Sequence, residues 1–333
     1  MLEIDGSDGG GQIVRTALSL SALSGEAVRI ENVRGDRPTP GVRPQHLAAI
    51  EATAALCEAT VEGDEQGSET LVFRPGAVEA DDFSVDIGTA GSVALVFDTL
   101  LPLATALDAP ATVTVTGGTD TEWAPPLSYL QRVKRPLLAE VGLDVEISVD
   151  SRGFYPAGGG RATLTLHPST LSPLSLTERG ALRRVETYSA ASDGLAGADV
   201  AERQASTVAE DLAIDASVGT EVSYVEADSP GSSVLIVAVY EHTRAGFSAL
   251  GEAGKPSEEV ASEALESFRR FQEGAAAVDS HLADQSLVFL ALAGGSVLAP
   301  EVTDHIETNR AVIEAFGSEI AVSDGDGGVL LEG

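Results

Sequence analysis

A supersecondary pattern that returns three times constrains this chain more than any other feature. A short strand (2–4) and a glycine-rich turn, "GSDGGG", lead into a helix pattern, "QIVRTALSLSALSG", and a strand, "AVRIENV". A second helix, "PQHLAAIEATAALC", and a strand, "ATVEG", complete the first copy. The second copy runs through strand "FSVDIG", turn "TAGS", helix "VALVFDTLLPLATAL" and strand "ATVTVTGG", then helix "PPLSYLQRVKRPLLAEVG" and strand "LDVEIS". A third copy lies near the C-terminus: helix "VDSHLADQSLVFLALAGG", strand "SVLAPEV", helix "HIETNRAVIEAFG" and strand "SEIAVS". Helices are read from apolar residues three or four apart, strands from β-branched runs bounded by Gly or Asp. Each unit reads β-α-β-α-β, which predicts an α/β protein of α+β layers, with helices packed on sheets.

The third copy is interrupted. A strand, "LRRVETYSAA", a helix over 198–213, two strands, "TEVSYVEA" and "SSVLIVAVYE", and a charged helix, "SEEVASEALESFRRFQEG", form an α/β unit of their own. The Pro- and Ser-rich "HPSTLSPLSLTERG" reads as its lead-in. The expected division is a repeat-built catalytic domain over 1–181 and 278–333, with a smaller inserted domain over 182–277.

Composition excludes several classes. The chain has 333 residues, 43% of them hydrophobic, enough for a sizeable core. No apolar run is long enough to span a membrane, and the acidic N-terminus is unlike a signal peptide. A single cysteine, Cys57, rules out an intrachain disulfide, so a cytoplasmic location is expected. The net charge is −32, and Lys134 and Lys255 are the only lysines. So acidic a chain repels RNA in dilute buffer. Its acids suit either a halophilic, high-salt setting or a basic partner; being spread along the chain without a block, they favour the first.

Several segments carry candidate chemistry. In "SDGGGQIVR", Asp8 precedes three glycines at a helix start, where N–H groups can approach a phosphate and a carboxylate can hold Mg²⁺; the alternative is a plain strand-to-helix turn. "RGDRPTPGVRPQH" gathers Arg34, Arg37 and Arg43 in a proline-stiffened loop suited to phosphate, unless surface acids pair with them. In "GGTDTEWAPP", Asp120 or Thr121 can cap a helix that Pro125 and Pro126 open. "GFYPAGGG" reads as a tight loop, with base stacking as its alternative. His281 stands one helical turn before Asp284, His305 opens a helix, and His46 reads as structural. Zinc spacing, a Walker A motif and G-x-S-x-G are all missing.

Taken together, "GGGQIVR", "RPQHL", "GGTDTEWAPP" (117–126), "GFYPAGGG" (153–160), "HLADQ" and "TDHIETN" resemble the RNA 3′-terminal phosphate cyclase family, in order and spacing, over nearly the whole chain. The resemblance implies three repeats like the C-terminal domain of translation initiation factor three, plus the inserted domain. It implies an ATP-dependent enzyme that turns an RNA 3′-terminal phosphate into a 2′,3′-cyclic phosphate through a covalent histidine–AMP. By motif, the nucleophile falls on His305, and the ATP site on His281, Leu282, Ala283, Asp284 and Gln285. Arg15, Arg37 and Gln45 fall on phosphate-facing positions. Asp8 falls where the family has a glutamate near a divalent cation (Mg²⁺ or Mn²⁺), and Asp98 where it has a glutamine contacting the nucleotide. Two rivals share the architecture: a non-catalytic ribosome-assembly relative without the histidine, and an enolpyruvyl transferase. The oligomeric state is not legible from the residues.

Overall fold

The computed structural model describes every residue except Ala213 and Asp215. Its first unit contains β1 (Leu2–Asp5), α1 (Gly11–Ser24), β2 (Val28–Glu31), α2 (Pro44–Leu56), β3 (Thr60–Glu62) and β4 (Leu71–Arg74). The strands lie in the order β1-β2-β4-β3, the first pair parallel and the others antiparallel. The second unit contains β5 (Asp82–Asp86), α3 (Val93–Leu100), β6 (Ala111–Gly117), α4 (Leu127–Tyr129), α5 (Arg135–Glu140), β7 (Val145–Ser151) and β8 (Gly160–Leu166). Its sheet, β5-β6-β8-β7, repeats both the order and the strand directions of the first. Between α4 and α5 the helix widens into a π turn, Leu130–Lys134.

A third sheet begins with β9 (Leu174–Leu176). The chain then leaves it for β10 (Leu182–Ser192), α6 (Val200–Asp211), β11 (Ser217–Val225), β12 (Ser232–Tyr240), β13 (Arg244–Leu250) and α7 (Ser257–Glu273). It returns through α8 (Ser280–Gln285), α9 (Leu287–Ala293), β14 (Gly295–Ala299), α10 (Asp304–Ala315), β15 (Ala321–Gly325) and β16 (Gly328–Glu332). That sheet, β9-β14-β16-β15, has the strand order of the first two. The helix expected over 198–213 is α6; its last expected residue, Ala213, lies outside the described residues.

Three differences from the sequence reading have physical causes. Each unit ends in one strand more than β-α-β-α-β. β4 was illegible because Leu71, Val72 and Phe73 are all buried and show no alternation, whereas the alternation in "RATLTL" of β8 was there to be read. The lead-in "HPSTLSPLSLTERG" contains β9, whose three residues pair in parallel with Gly295–Val297, about 120 positions away, a partner no local pattern announces. In the inserted stretch, β13 follows β12 as an unexpected hairpin partner.

One apolar core unites the three units, with Leu18, Ile50, Phe97, Leu287 and Ile306 among its members. The inserted stretch has its own core, built on Val234, Ile236, Phe247, Leu265 and Phe268. All nine residues of β12 are buried because both faces of this strand are covered. Val234 and Ile236 join the inserted core, while Leu235, Val237 and Val239 pack on Tyr129 and Val133. No helix among the described residues is long and apolar enough to cross a membrane.

The 52 acids outnumber the 20 bases, so most carboxylates have no cationic partner. Self-repulsion weakens the compact state until salt screens it. Raising KCl from 0.05 to 2 M is expected to stabilise the fold by on the order of 2 kcal/mol, or about 3 °C in Tm for a chain of this length. Thermal unfolding followed by circular dichroism reads this; equal stability at both ends of the titration would overturn it.

Candidate active site

A cleft opens where helices of the three units meet. α1 brings Gln12, Arg15 and Thr16, α3 brings Asp98, and the π turn brings Lys134. The third unit adds His281, Asp284 and Gln285 from α8, and His305 and Asn309 from α10. The space these residues enclose is about 110 Å³, and the cleft is open to solvent. Hydrogen bonds hold the walls together. Gln12 Nε2 donates to Thr308 Oγ1 at 3.1 Å, Thr16 Oγ1 donates to Asn309 Oδ1 at 2.8 Å, and Ser19 Oγ donates to the Thr99 carbonyl at 2.7 Å.

His305 is placed by the start of α10. Thr303 caps this helix by accepting the Ile306 N–H, and Ile306, Asn309 and Ile313 bury its inner face. His305 is left on the outer face of the first turn, 53% exposed, where the helix dipole favours anions. Its Nδ1 lies 3.0 Å from Oδ2 of Asp284, a carboxylate only 13% exposed. An ionised carboxylate accepts only, so Nδ1 carries the proton and the lone pair sits on Nε2. The other Asp284 oxygen, Oδ1, is buried without a partner among the described residues.

α8 is fixed by a buried carboxylate the sequence reading passed over. Asp279 caps the helix by accepting the Leu282 N–H at 3.0 Å. It also accepts the Tyr129 hydroxyl at 2.7 Å and the Gly246 N–H of β13 at 2.9 Å. The Tyr129 ring meets His281 edge-on, with centroids 5.9 Å apart. Burial raises the Asp279 pKa above its ordinary value, opposed by His281 and by these hydrogen bonds.

Lys134 was missed too. It is 1% exposed, forms an ion pair with Asp98, and lies 5.4 Å over the Phe289 ring. The signal was one of only two lysines set in the otherwise apolar helical face of "SYLQRVKRPLL". Arg15 stands beside this pair. Burial lowers its pKa, while Asp98 and Asp284 pull it back up.

The other expected residues gather beside the cleft at the start of α1. A Cβ on Gly10 would stand 3.4 Å from Arg37 Nη2. A Cβ on Gly11 would fall 2.2 Å from His46 Nε2 and 2.9 Å from Arg15 Nη1, so only glycine admits both side chains so close. His46 is structural as expected: its Nδ1 accepts the Arg43 N–H at 3.1 Å. The proton then lies on Nε2, a buried donor with no partner among the described residues. Burial, then Arg15, Arg34 and Arg43, push its pKa down to about 3, so it stays neutral. None of Arg15, Arg34, Arg37 and Arg43 pairs with a carboxylate within 4.0 Å among the described residues, although acids abound. The Gln45 carbonyl reaches the Ser92 N–H at the start of α3, at 3.4 Å. Asp8 is exposed on the turn before α1. Leu282 and Ala283 turn into the core, because the helical period places them opposite His281 and Asp284.

One motif reading changes. Asp120 does not cap a helix: it is buried, held by Arg152 Nη1 at 2.9 Å and Ser233 Oγ at 2.6 Å, and α4 starts after Pro126 with no side-chain cap. "GFYPAGGG" is the tight loop expected, closed by a Phe154–Gly158 bridge, with the Gly153 carbonyl receiving the Thr119 and Asp120 N–H groups; none of its residues lines the cleft. A divalent ion has no all-protein cage, since no group of three His, Cys, Asp or Glu stands together among the described residues. Asp8, exposed on the turn before α1, would be one carboxylate ligand of a Mg²⁺ that takes its others from phosphates and water.

The chain matches the profile described as RNA 3'-terminal phosphate cyclase over residues 7–321. A protein of that name from Halobacterium salinarum is 51% identical, covering 98% of both chains. Namesakes from Ralstonia nicotianae and Archaeoglobus fulgidus are 43% and 44% identical; the first covers 95% of this chain and 91% of its own, the second 98% of both. A match this long, at these identities, places the chain in the RNA 3′-terminal phosphate cyclase family of enzymes.

Proposed function

We propose that the cleft converts an RNA 3′-terminal phosphate to a 2′,3′-cyclic phosphate with ATP, by way of AMP carried on His305. The observation behind this is the Asp284–His305 pair, which leaves Nε2 unprotonated and free at a helix start beside Arg15. Nε2 attacks the α-phosphorus of ATP, a phosphorus–nitrogen bond forms, and pyrophosphate leaves. Asp284 stabilises the positive charge that the ring then carries. An oxygen of the RNA 3′-phosphate next attacks the same phosphorus, frees His305 and takes the AMP. The neighbouring 2′-OH attacks the 3′-phosphorus, loses its proton and expels AMP; only RNA has that hydroxyl.

Arg37, Arg43 and the His46 Nε2–H, none of them bonded to a carboxylate among the described residues, are assigned to phosphate oxygens, with Arg34 bracing their loop through the Thr39 and Gly41 carbonyls. Asp8 would help hold a divalent ion, which when bound offsets phosphate charge. Asp98 faces the nucleotide as a carboxylate already neutralised by Lys134, so it need not repel phosphate. We also read the three sheets of like order as copies of one repeat, of the kind in the C-terminal domain of translation initiation factor three. Residues 182–277 are then a domain inserted in the third copy.

ATP labelled at the α-phosphate tests the proposal: the protein is expected to take up label, and an RNA 3′-phosphate to remove it. A chain that stays unlabelled with ATP and divalent ion would instead be a binding scaffold of the same fold. Arg37→Ala is expected to weaken RNA 3′-phosphate use by about 1.5–3 kcal/mol with Tm unchanged. Wild-type kinetics in that variant would remove Arg37 from the site.

A further inference from the structure

We propose that Trp123 is a stacking platform for a nucleobase at the mouth of the cleft. It is the one tryptophan of the chain, it is 95% exposed, and it lines the same cleft as His281, Asp284 and His305. Its φ is +70°, a conformation that a bulky side chain rarely adopts. The turn that carries it is nonetheless firmly anchored. The Leu127 N–H donates to the Thr119 carbonyl at 2.8 Å, Asp120 is locked by Arg152 and Ser233, and Pro125 and Pro126 follow. The fold therefore holds a large apolar ring in water on a strained but anchored turn. Such strain concentrates at ligand sites, and burial would otherwise be the favourable place for an indole.

The neighbours decide the ligand class. Arg15 and the unpaired arginines beside α1 call for phosphates, and a flat ring at the lip of a phosphate site suits the π-face of the attached base. The base belongs to ATP or to the last nucleotides of the RNA; both offer the same face. This rests on the nucleotide reading of the cleft.

A chain with a single tryptophan makes the test direct, because all tryptophan emission comes from position 123. Emission is followed while adding α,β-methylene ATP, then an RNA with a 3′-phosphate, then the same RNA with an abasic last nucleotide, with binding measured separately by filter retention. Quenching by the ATP analogue assigns the adenine; quenching by the intact but not the abasic RNA assigns the terminal base. Trp123→Ala is expected to raise the Kd of that ligand about 5- to 150-fold, with Trp123→Phe keeping most of the affinity. Unchanged emission at saturating ligand overturns the stacking, as does emission that depends only on protein concentration, which would mark a contact between copies. Labelling from α-phosphate-labelled ATP is read on parallel samples of the same protein without the analogue. Label without an emission change defeats the stacking alone, an emission change without label defeats the adenylation reading alone, and neither signal defeats both.

Discussion

His305→Ala and His305→Asn are expected to leave no detectable covalent AMP, with overall cyclisation reduced on the order of 10³-fold or more, as for loss of other enzymatic nucleophiles. The fold should survive. The side chain is 53% exposed and makes one hydrogen bond, to Asp284, so its loss should cost about 1 kcal/mol or less. Asp284→Asn separates the roles of the pair. An asparagine amide can donate to Nδ1, moving the ring proton to Nε2 and occupying the lone pair that attacks. Adenylation should then fall by about 10²-fold or more, although the residue is nearly isosteric. Labelled adduct in a His305 variant of normal Tm would move the nucleophile elsewhere, with His281 the nearest alternative in the cleft.

Lys134→Met should strongly destabilise the fold. Removing one partner of a buried ion pair leaves an uncompensated charge, and such changes cost about 3–5 kcal/mol. Because the Asp98 side chain is 18% exposed toward the cleft, the lower end, about 3 kcal/mol, is expected. Asp98→Asn strands the opposite charge on a fully buried ammonium and should cost at least as much. The double variant Asp98→Asn/Lys134→Met removes both charges and should recover most of the loss, a coupling that two independent sites would not show. Chemical denaturation of the four proteins measures it. A Lys134→Met protein as stable as wild type would mean that the pair does not form in solution. If the carboxylate orients the nucleotide, the double variant should also raise the ATP KM more than it lowers kcat.

The motifs made the family legible because they cluster where the backbone must do something unusual: "GGGQ" at the start of α1, "HLADQ" on α8, "TDHIETN" at the start of α10. Helix periodicity placed α7 and α10, each with one apolar stripe against the core, whereas α1 and α2 are apolar and buried over much of their circumference. His305 stood out by its place at a helix start, a property of a few adjacent residues. Short strands were another matter. β9 has three residues and exists only because β14 offers it a partner across the whole inserted stretch.

The sequence by itself determined where most of the helices form, the acidic character and the set of residue types available for chemistry, because each depends on near neighbours or on composition. Only the tertiary structure decided which of those residues meet. Asp284 bonds His305 rather than its helical neighbour His281, and Lys134 neutralises Asp98 from a different helix. Asp279 ties α8 to Tyr129 and Gly246, and the His46 Nε2–H is left without a partner beside Gly11. These pairings join positions that are 21 to 150 residues apart, or depend on burial that many segments create together. No local pattern encodes them, since the energy of a buried charge is set by whatever the packed chain brings within about 4 Å of it.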